Sequence, residues 1–574
     1  MALCKKKEFC HNFTMDVLLV AQQYINEMVR LAGPGMKAIL MDKETTSCVS
    51  CAYAQSEMMQ KEAYLFERLD SVTTRGPIKF LKCVVFVRPT PENVQLLSEE
   101  LLSPKYSQYY IYFSNRIPKA DVKILAESDE QETVRELREI FVVFHSTGAA
   151  FGIVKHSHGL RSAAIWHFHH DLSAMYQKTS RDAKRLAEEF VKVTSQEDAL
   201  FERCKTDSVL VVLDRSEDPI SPLLNQWTYE AMVHELIGLS NNRVTMENVG
   251  SDGQKNIVLN AQYDEFYAKN MYLNFGDIGQ NIKGLMNEYQ RKAQTHQQLE
   301  SIADMKKFVE QYPQFKKISG TVAKHVQLVG ELSRMVTDCN LLEISELEQN
   351  IAVANGDHSA CLESLRRLLQ HSKTTDLNAL RLVMLFSLRF EGNNSVLSSA
   401  QELLRQRGLS NRQLQLVRTL LEYAGQKRRQ SDLFGNRSAM EMTKRFIKGL
   451  KGVENIFTQH EPHIVQLVDL VSRGKLPESA YPSTDLANIN VILFIIGGAT
   501  FEESAAVANL NAKRSISPSS HPSLYQGNLP PRVILCSTFV HNTKSFVAQL
   551  AHYSSAIAVA GGNAIGTGDL SAIL

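Results

Sequence analysis

The chain has 574 residues, of which 44% are hydrophobic and 22% are charged, with 63 Lys and Arg against 62 Asp and Glu. This length is typical of roughly three or four domains of about 150 residues, and the hydrophobic content excludes a disordered chain. A formal net charge of +1 provides no overall positive field. The composition therefore argues against a nucleic-acid-binding protein.

In chain order, the first 140 residues alternate between helical and extended patterns. Helices are predicted at Asp16 to Leu31, Gln55 to Glu67 and Pro91 to Leu102, and strands at Lys37 to Asp42, Cys83 to Val87 and Tyr109 to Phe113. Short apolar strands separated by helices are typical of a parallel sheet that is covered on both faces. An N-terminal α/β domain is therefore predicted.

Later strands are widely separated along the chain. Apolar runs predict strands at Ser208 to Asp214, Val491 to Ile496 and Arg532 to Leu535, whereas residues 241 to 476 have almost wholly helical periodicity. This arrangement predicts a second α/β domain whose sheet is interrupted by a large helical insertion.

The nine scattered cysteines favour a reduced, cytoplasmic protein over a disulfide framework. Cys48 and Cys51 have the spacing of a redox pair, but the segment is predicted to be extended, and two ordinary cysteines are the favoured interpretation. The basic amino terminus lacks the apolar core of a secretion signal, and Val491 to Ile496 is too short to span a bilayer. We therefore expect the protein to reach membranes only through partners.

Motifs of common enzyme and metal sites are incomplete. The glycines at Gly33 and Gly35 precede their strand, whereas a dinucleotide-binding loop follows one. Gly561 to Gly566 lacks the lysine of a phosphate-binding loop, and His234 lacks the second histidine of a zinc-protease helix because position 238 is Gly238.

Two segments leave alternatives open. The first is rich in histidine and could bind a metal ion, but a solvated irregular segment is the favoured interpretation. Its histidines are His145, His156, His158, His167, His169 and His170. Gly497 to Thr500 lies between a predicted strand and a predicted helix, as an anion site would, but close backbone packing is favoured because no basic or nucleophilic residue is alongside. Asp214 and Arg215, at the end of a buried strand, are predicted to be structural.

The segment Leu213 to Met232, LDRSEDPISPLLNQWTYEAM, resembles the SM family, the Sec/Munc-like syntaxin-binding proteins of vesicle fusion. In that family a strand ends in Asp-Arg and is followed by Asp-Pro, Pro-Leu-Leu and a Thr-Tyr-x-Ala-Met helix. Further segments between Met15 and Phe546 are similar to the family and occur in the same order: Gly35 to Ser47, Tyr64 to Arg68, Tyr267 to Phe275, Ser301 to Met305, Lys448 to Asn455 and Val540 to Phe546. The pattern departs between about 141 and 175, in residues 1 to 14, at Cys536 to Phe539 and after Phe546.

The resemblance implies a fold of class α/β plus α, a three-domain arch with two Rossmann-like parallel-sheet domains and a large helical insertion. The expected domains are residues 15–145, an N-terminal α/β domain that binds syntaxin; 146–240 with 481–574, a discontinuous second α/β domain; and 241–480, a mainly helical third domain. The third domain is expected to carry a hairpin that contacts SNARE helices.

The resemblance also implies a SNARE-binding regulator of vesicle docking and membrane fusion in Golgi, endosome and vacuole or lysosome protein transport, without catalytic activity, cofactor or metal. It is expected to bind a syntaxin and to promote SNARE complex assembly. Expected partners are a syntaxin-type SNARE of the trans-Golgi or endosome and the assembled SNARE complex, with a Rab effector tether as a further candidate. The expected location is cytoplasmic and peripheral to Golgi and endosomal membranes. The alternative is a nucleotide- or cofactor-dependent enzyme on a Rossmann-like scaffold.

The first expected surface is an apolar pocket on the outer face of the N-terminal domain, which receives an N-terminal peptide of syntaxin in the family. The matching residues are Val122, Leu125, Val134 and Leu137. One peptide aromatic or leucine buried there would contribute about 2 to 3 kcal/mol. The alternative is that these residues form the inner face of two packed helices.

The second expected surface is the third-domain hairpin, matched by Ser301 to Lys317 and the helix that follows. Pro313 is predicted to stop or bend the helix, because proline removes a backbone donor and clashes with the preceding turn; in the family this position is a hinge. Lys316, Lys317, Lys324 and His325 are expected to face acidic SNARE surfaces, and the alternative for each is a solvated helix face.

Overall fold

Two mostly parallel β-sheets and a large body of helices make up the protein, as seen in a computed structural model. The structure describes residues 17–71, 76–140, 144–148, 151–154, 173–196, 208–246, 255–297, 302–353, 358–429, 433–434, 457, 459–482, 490–515 and 532–560. Within these ranges no helix is long and apolar enough to cross a lipid bilayer.

The strands are β1 (Lys37–Met41), β2 (Ala63–Arg68), β3 (Lys82–Val87), β4 (Gln108–Phe113), β5 (Val134–Glu139), β6 (Phe144–Gly148), β7 (Phe151–Val154), β8 (Ser173–Tyr176), β9 (Ser208–Asp214), β10 (Arg243–Thr245), β11 (Asn256–Val258), β12 (Asn490–Ile496), β13 (Ala499–Thr500), β14 (Val533–Ser537) and β15 (Val540–His541). The helices are α1 (Val17–Leu31), α2 (Lys43–Ala52), α3 (Gln55–Gln60), α4 (Pro91–Leu102), α5 (Lys119–Ser128), α6 (Arg181–Gln196), α7 (Tyr229–Met232), α8 (Glu265–Asn270), α9 (Phe275–Gln297), α10 (Ile302–Asp338), α11 (Leu341–Ala352), α12 (His358–Gln370), α13 (Asp376–Arg389), α14 (Asn394–Arg407), α15 (Asn411–Ala424), α16 (His463–Ser472), α17 (Phe501–Ser515) and α18 (Thr543–Ala560).

The first sheet has the strand order β2-β1-β3-β4-β5, and all its neighbouring strands are parallel. The continuous apolar runs of β1 and β3 are buried, as expected for strands covered on both faces. Strand β5, at one side of the sheet, has the sequence VRELRE, and its four charged residues discourage pairing with another chain.

Two local predictions in the first sheet were wrong. The predicted helix from Gln55 to Glu67 ends at Gln60, and its second half is the strand β2. Cys48 and Cys51 lie in α2 and are buried, rather than lying in an extended segment. The helix begins there because Asp42 accepts hydrogen bonds from the backbone N–H groups of Glu44 and Thr45, which caps the first turn.

The second sheet has the strand order β6-β7-β14-β12-β9-β8. Strand β12 pairs in parallel with β9 on one side and with β14 on the other, so three strands far apart in sequence are neighbours. The prediction of an interrupted sheet is therefore confirmed. Strand β6 pairs antiparallel with β7 and already belongs to this sheet, so the first sheet ends at β5.

The chain between β9 and β12 is mostly helical, as predicted, apart from the short antiparallel pair of β10 and β11. Its helices share one apolar core with the second sheet: Leu382 of α13 and Leu420 of α15 belong to the same buried cluster as Leu493 of β12. A separate buried cluster joins Phe86 of the first sheet to Phe494 of the second. The two sheets and the helical body therefore pack against one another.

Candidate functional site

The first candidate surface is formed by α5 and the adjoining strand β5. Leu125 of α5 is only 2% exposed and belongs to the apolar cluster on one face of the first sheet. Val122, Val134 and Leu137 are partly buried and pack against the same cluster. The structure therefore brings the four predicted residues together around one patch.

The patch differs from the prediction in two respects. Val134 and Leu137 lie on the strand β5. The alternative of two packed helices is therefore wrong, because only Val122 and Leu125 are on a helix. Leu125 forms the floor of the patch rather than its exposed lining, since helical periodicity turns it inward together with Ser128. The sequence analysis did not name Ile124, which is exposed on the solvent side of α5. Ile124 could have been found by placing Leu125 on the buried face of the helix, because its neighbour then lies nearer to solvent.

The second candidate surface is built on α10, a helix of 37 residues that continues through Pro313 without a break. Pro313 therefore does not stop the helix, and a bend at this position, the other expected effect, stays a prediction. Lys316 and Lys317 lie on the same helix, but their side chains are outside the described part of the structure.

Lys324 and His325 anchor α10 to the preceding part of the chain. His325 Nε2 lies 2.9 Å from Asp264 Oδ2, and His325 Nδ1 lies 2.8 Å from the hydroxyl of Tyr229. Lys324 forms an ion pair with the same Asp264 carboxylate and donates to the carbonyl of Val258 at 3.3 Å. Because His325 is 0% exposed and Lys324 is 17% exposed, the expectation that both face a SNARE is corrected: His325 is an internal anchor and Lys324 is mostly one.

The protonation state of this anchor follows from its burial. Burial lowers the pKa of His325, and the hydrogen bond to Asp264 opposes that effect without cancelling it. For Asp264, burial raises the pKa, but the hydrogen bonds from His325 and Lys324, together with the positive charge of His325 when it is protonated at low pH, outweigh burial and hold the pKa of Asp264 well below its usual range. At neutral pH a neutral His325 therefore donates Nε2–H to the Asp264 carboxylate and accepts at Nδ1 from Tyr229.

A second buried polar cluster lies at the carboxyl ends of β9 and β12. Arg215, 2% exposed, donates to Glu503 at 2.8 Å and lies 3.5 Å from Asp218, in agreement with its predicted structural role. Gly498 has a φ of 92°, and a Cβ added there would lie 2.7 Å from the ring of His541. Close backbone packing, the favoured interpretation of these glycines, is confirmed.

The polar groups of this cluster are mostly directed at one another. The imidazole of His541 lies 2.7 Å from the Gly497 carbonyl, 2.7 Å from Gln549 Oε1 and 3.0 Å from the Ser545 hydroxyl. Burial lowers the pKa of His541 to about 4, so it is neutral at pH 7. The contacts support a structural joint between β12 and α18.

Among the described residues, no group of three or more His, Cys, Asp and Glu side chains could hold a metal ion. The hypothesis of a metal site in the histidine-rich segment lies outside these residues except for His145, which is on β6.

Comparisons with known proteins agree on one family. A model of the Sec1 family matches residues 37–549. The chain is 47% identical over 565 residues to vacuolar protein sorting-associated protein 45 of Mus musculus, covering 93% of this chain and 96% of that protein.

Solved structures show the same likeness. The SM protein Vps45, solved in complex with the Qa SNARE Tlg2 (1-310), aligns with a TM-score of 0.82 and 38% identity, covering 97% of this chain and 100% of that chain. The Unc18–syntaxin 1 complex from Monosiga brevicollis aligns with a TM-score of 0.75 at 17% identity over 94% of this chain and 99% of that chain, which shows a common fold.

Proposed function

Because this chain belongs to the Sec1 family of SM proteins, we propose that it binds a syntaxin-type SNARE and regulates SNARE-dependent vesicle docking and fusion in protein transport. The observation that carries the proposal is the likeness, over 97% of the chain, to an SM protein solved in complex with a Qa SNARE. The enzyme alternative is not supported, and the proposed role is not catalytic.

The proposal extends to the finer expectations of the sequence. The protein promotes SNARE complex assembly on the Golgi to endosome route and associates peripherally with those membranes. It forms a three-domain arch with a syntaxin-binding domain at 15–145, a split second domain at 146–240 and 481–574, and a helical third domain at 241–480. A trans-Golgi or endosomal syntaxin is its partner, the assembled SNARE complex is a second one, and a Rab effector tether is a candidate for a third.

The patch on α5 and β5 is the proposed site for the N-terminal peptide of the syntaxin. Val122, Val134 and Leu137 offer partly exposed apolar surface above a fixed floor, Leu125. An apolar peptide side chain placed on them removes further surface from water without opening the core. The continuous helix α10, with Lys316 and Lys317, is the proposed contact for the SNARE helices.

The test is calorimetric titration of the full chain with the cytosolic part of a Qa SNARE and with its N-terminal peptide. The variant Val122→Arg should weaken peptide binding about tenfold or more, since it replaces an apolar contact with a charge. Glu127→Arg adds the same side chain at an exposed position of α5 and should leave the affinity unchanged. Leu125→Arg is unsuitable, because a charge at a buried position would disrupt the core.

Two negative results would have different meanings. Unchanged peptide affinity of Val122→Arg, with normal SNARE binding, would remove the pocket assignment alone. Failure of the full chain to bind any syntaxin-type SNARE would contradict the proposed function.

A further inference from the structure

Five large apolar side chains at the amino-terminal ends of the first sheet's strands are exposed to solvent. Phe80 is 72% exposed, and Met36, Met59, Tyr64 and Leu102 are between 43% and 51% exposed. Single exposed apolar residues are common on proteins, whereas several on one side of one sheet indicate an interaction surface. We call these five residues the apolar edge.

The parallel topology places these residues in a row. Met36 immediately precedes β1, Phe80 lies two residues before β3, and Leu102 ends the helix that leads into β4. Met59 and Tyr64 lie just before and within β2, the outer neighbour of β1. Because the strands are parallel and adjacent in the order β2-β1-β3-β4, their amino ends meet at one edge.

Backbone hydrogen bonds fix the position of Phe80 within the row. On one side, Lys82 N–H donates to the carbonyl of Met36 at 3.3 Å. On the other side, Ile78 N–H donates to the carbonyl of Lys105 at 2.7 Å. The segment that carries Phe80 therefore bridges the start of β1 and the approach to β4, and its aromatic ring projects outward.

Lysines accompany the apolar edge. Lys79 Nζ donates to the carbonyl of Pro104 at 2.7 Å, and Lys82 Nζ donates to the carbonyls of Ala32 and Pro34, both at 2.9 Å. Lys61 lies over the ring of Tyr53, 5.0 Å from its centroid. These contacts are with neutral groups, and none of the three lysines forms an ion pair with a described carboxylate, although Lys82 lies close enough to Glu62 to help lower the pKa of that carboxyl.

The acidic residues nearby are fewer or already paired. Glu62 forms an ion pair with Lys37 at 3.0 Å, and Glu100 forms one with Lys105 at 2.7 Å. Glu99, one turn before Leu102, receives a hydrogen bond from Gln95 rather than from a lysine. The described segments that carry the edge, residues 33–37, 59–64, 76–82 and 99–108, contain five lysines and three glutamates, while Glu130 and Glu132 lie beyond them, before β5. These segments therefore combine apolar side chains with a small excess of positive charge.

We propose that the apolar edge docks directly on a lipid membrane that contains anionic lipids, with Phe80 entering the interface between headgroups and acyl chains. Protruding Phe, Met, Leu and Tyr side chains among lysines suit a membrane interface, where the apolar atoms leave water and the ammonium groups meet anionic headgroups. A projecting ring suits a bilayer better than it suits a peptide, which requires a groove. This goes beyond SNARE binding and adds a direct contact to the indirect membrane association expected from the sequence.

Vesicle flotation with the full chain tests the proposal. The protein should float with phosphatidylcholine vesicles that contain phosphatidylserine, more weakly with phosphatidylcholine alone, and less as salt is added. Phe80→Ser should lower vesicle affinity about tenfold, and Lys79→Glu about fivefold or more. Leu342→Ser is the control, since Leu342 is also an exposed apolar residue, at 45%, but lies on α11 in the helical body.

A second measurement separates insertion from electrostatic contact. Phe80→Trp should add fluorescence that brominated phosphatidylcholine quenches, relative to the wild-type protein with its two tryptophans. Equal flotation of Phe80→Ser and wild type, or binding without quenching of Phe80→Trp, would overturn the proposal. An absence of flotation combined with loss of SNARE affinity in Phe80→Ser would also overturn it and assign the edge to a protein partner.

Discussion

At the scale of single residues, buried ionisable groups hold the elements of this protein together. Asp264 caps α8 through the backbone N–H of Tyr267 and also holds His325 of α10, so one carboxylate fixes two helices. Arg215 similarly joins β9 to α17 through Glu503. Truncating one partner of such a pair leaves the other buried and unpaired, which costs more than an exposed ion pair contributes.

Glu230 provides a residue-scale prediction with a definite pH dependence. Burial raises the pKa of Glu230 to about 8, although the hydroxyl of Tyr267 donates to it at 2.9 Å. Between the usual carboxyl pKa and pH 8, Glu230 is protonated in the folded protein and ionised in the unfolded chain, so unfolding releases a proton. The free energy of unfolding therefore falls as the pH rises through that range. Glu230→Gln keeps the acceptor oxygen and should raise the free energy of unfolding at pH 8 by on the order of a few kcal/mol.

Thermal unfolding of both proteins from pH 5 to pH 8.5 is the measurement. The stability difference should grow with pH, and a difference that is constant with pH would contradict the assignment to Glu230. Glu422→Gln, at an exposed position of α15, is the control and should leave the pH profile unchanged.

Gly498 provides a second residue-scale prediction. Alanine there would combine a positive φ with a contact of 2.7 Å to the buried ring of His541, so Gly498→Ala should destabilise the protein by about 2 to 4 kcal/mol. Gly330→Ala, in the middle of α10 with open space around it, should instead stabilise by up to about 1 kcal/mol. Equal melting temperatures of the two variants would contradict the close packing inferred at Gly498.

The sequence predicted some of these residues and not others, for a physical reason. Arg215 and Gly498 follow strands that are recognisable from their apolar runs, so their roles could be inferred locally. The burial of His325 depends on Asp264, which lies 61 residues earlier, and helical periodicity alone does not reveal such a partner. Leu125 lies together with the other three residues named from the sequence, but its depth depends on how α5 packs on the sheet.

At the scale of elements, strands with long apolar runs were the easiest to predict. The runs of β3, β9 and β12 are buried on both faces and appear in the structure nearly as predicted. Strand β2 was missed because its sequence, AYLFER, continues the pattern of the preceding helix. Helix α2 was missed because its Thr and Ser residues favour extended structure, whereas the cap at Asp42 and packing on the sheet override that preference.

Pro313 provides the prediction at this scale. The helix α10 is continuous across it, at a cost of roughly 3 kcal/mol relative to alanine. If the position is a hinge, Pro313→Ala should favour the continuous helix and change the rate at which the cytosolic SNARE domains assemble in the presence of the protein. Fluorescence measurement of SNARE assembly gives that rate.

Gly320→Ala is the matched control for Pro313→Ala. It also strengthens α10, at an exposed position with open space around it, but seven residues away from the proposed hinge. It should leave the assembly rate unchanged. Identical rates for Pro313→Ala and wild type would contradict the hinge.

At the scale of the whole molecule, the interrupted sheet was predictable, but the packing between sheets was not. Widely separated apolar runs indicated that β9, β12 and β14 belong together, and the strand pairing agrees. The shared core that joins Phe86 to Phe494 depends on tertiary contacts that leave no local signal. The near balance of charge over the whole chain likewise conceals the local excess of lysine beside Phe80.

The split second sheet has a consequence for how the protein is made. Each residue of β9 pairs with a residue of β12 that lies 282 positions later in the chain. At a synthesis rate of about 5 to 20 residues per second, β9 emerges from the ribosome roughly 15 to 55 s before its neighbour exists. The strands of the first sheet, all within residues 37–139, can pair well before then. During the interval the nascent chain exposes an apolar strand with an unpaired edge, a state that is prone to aggregation and open to chaperone binding.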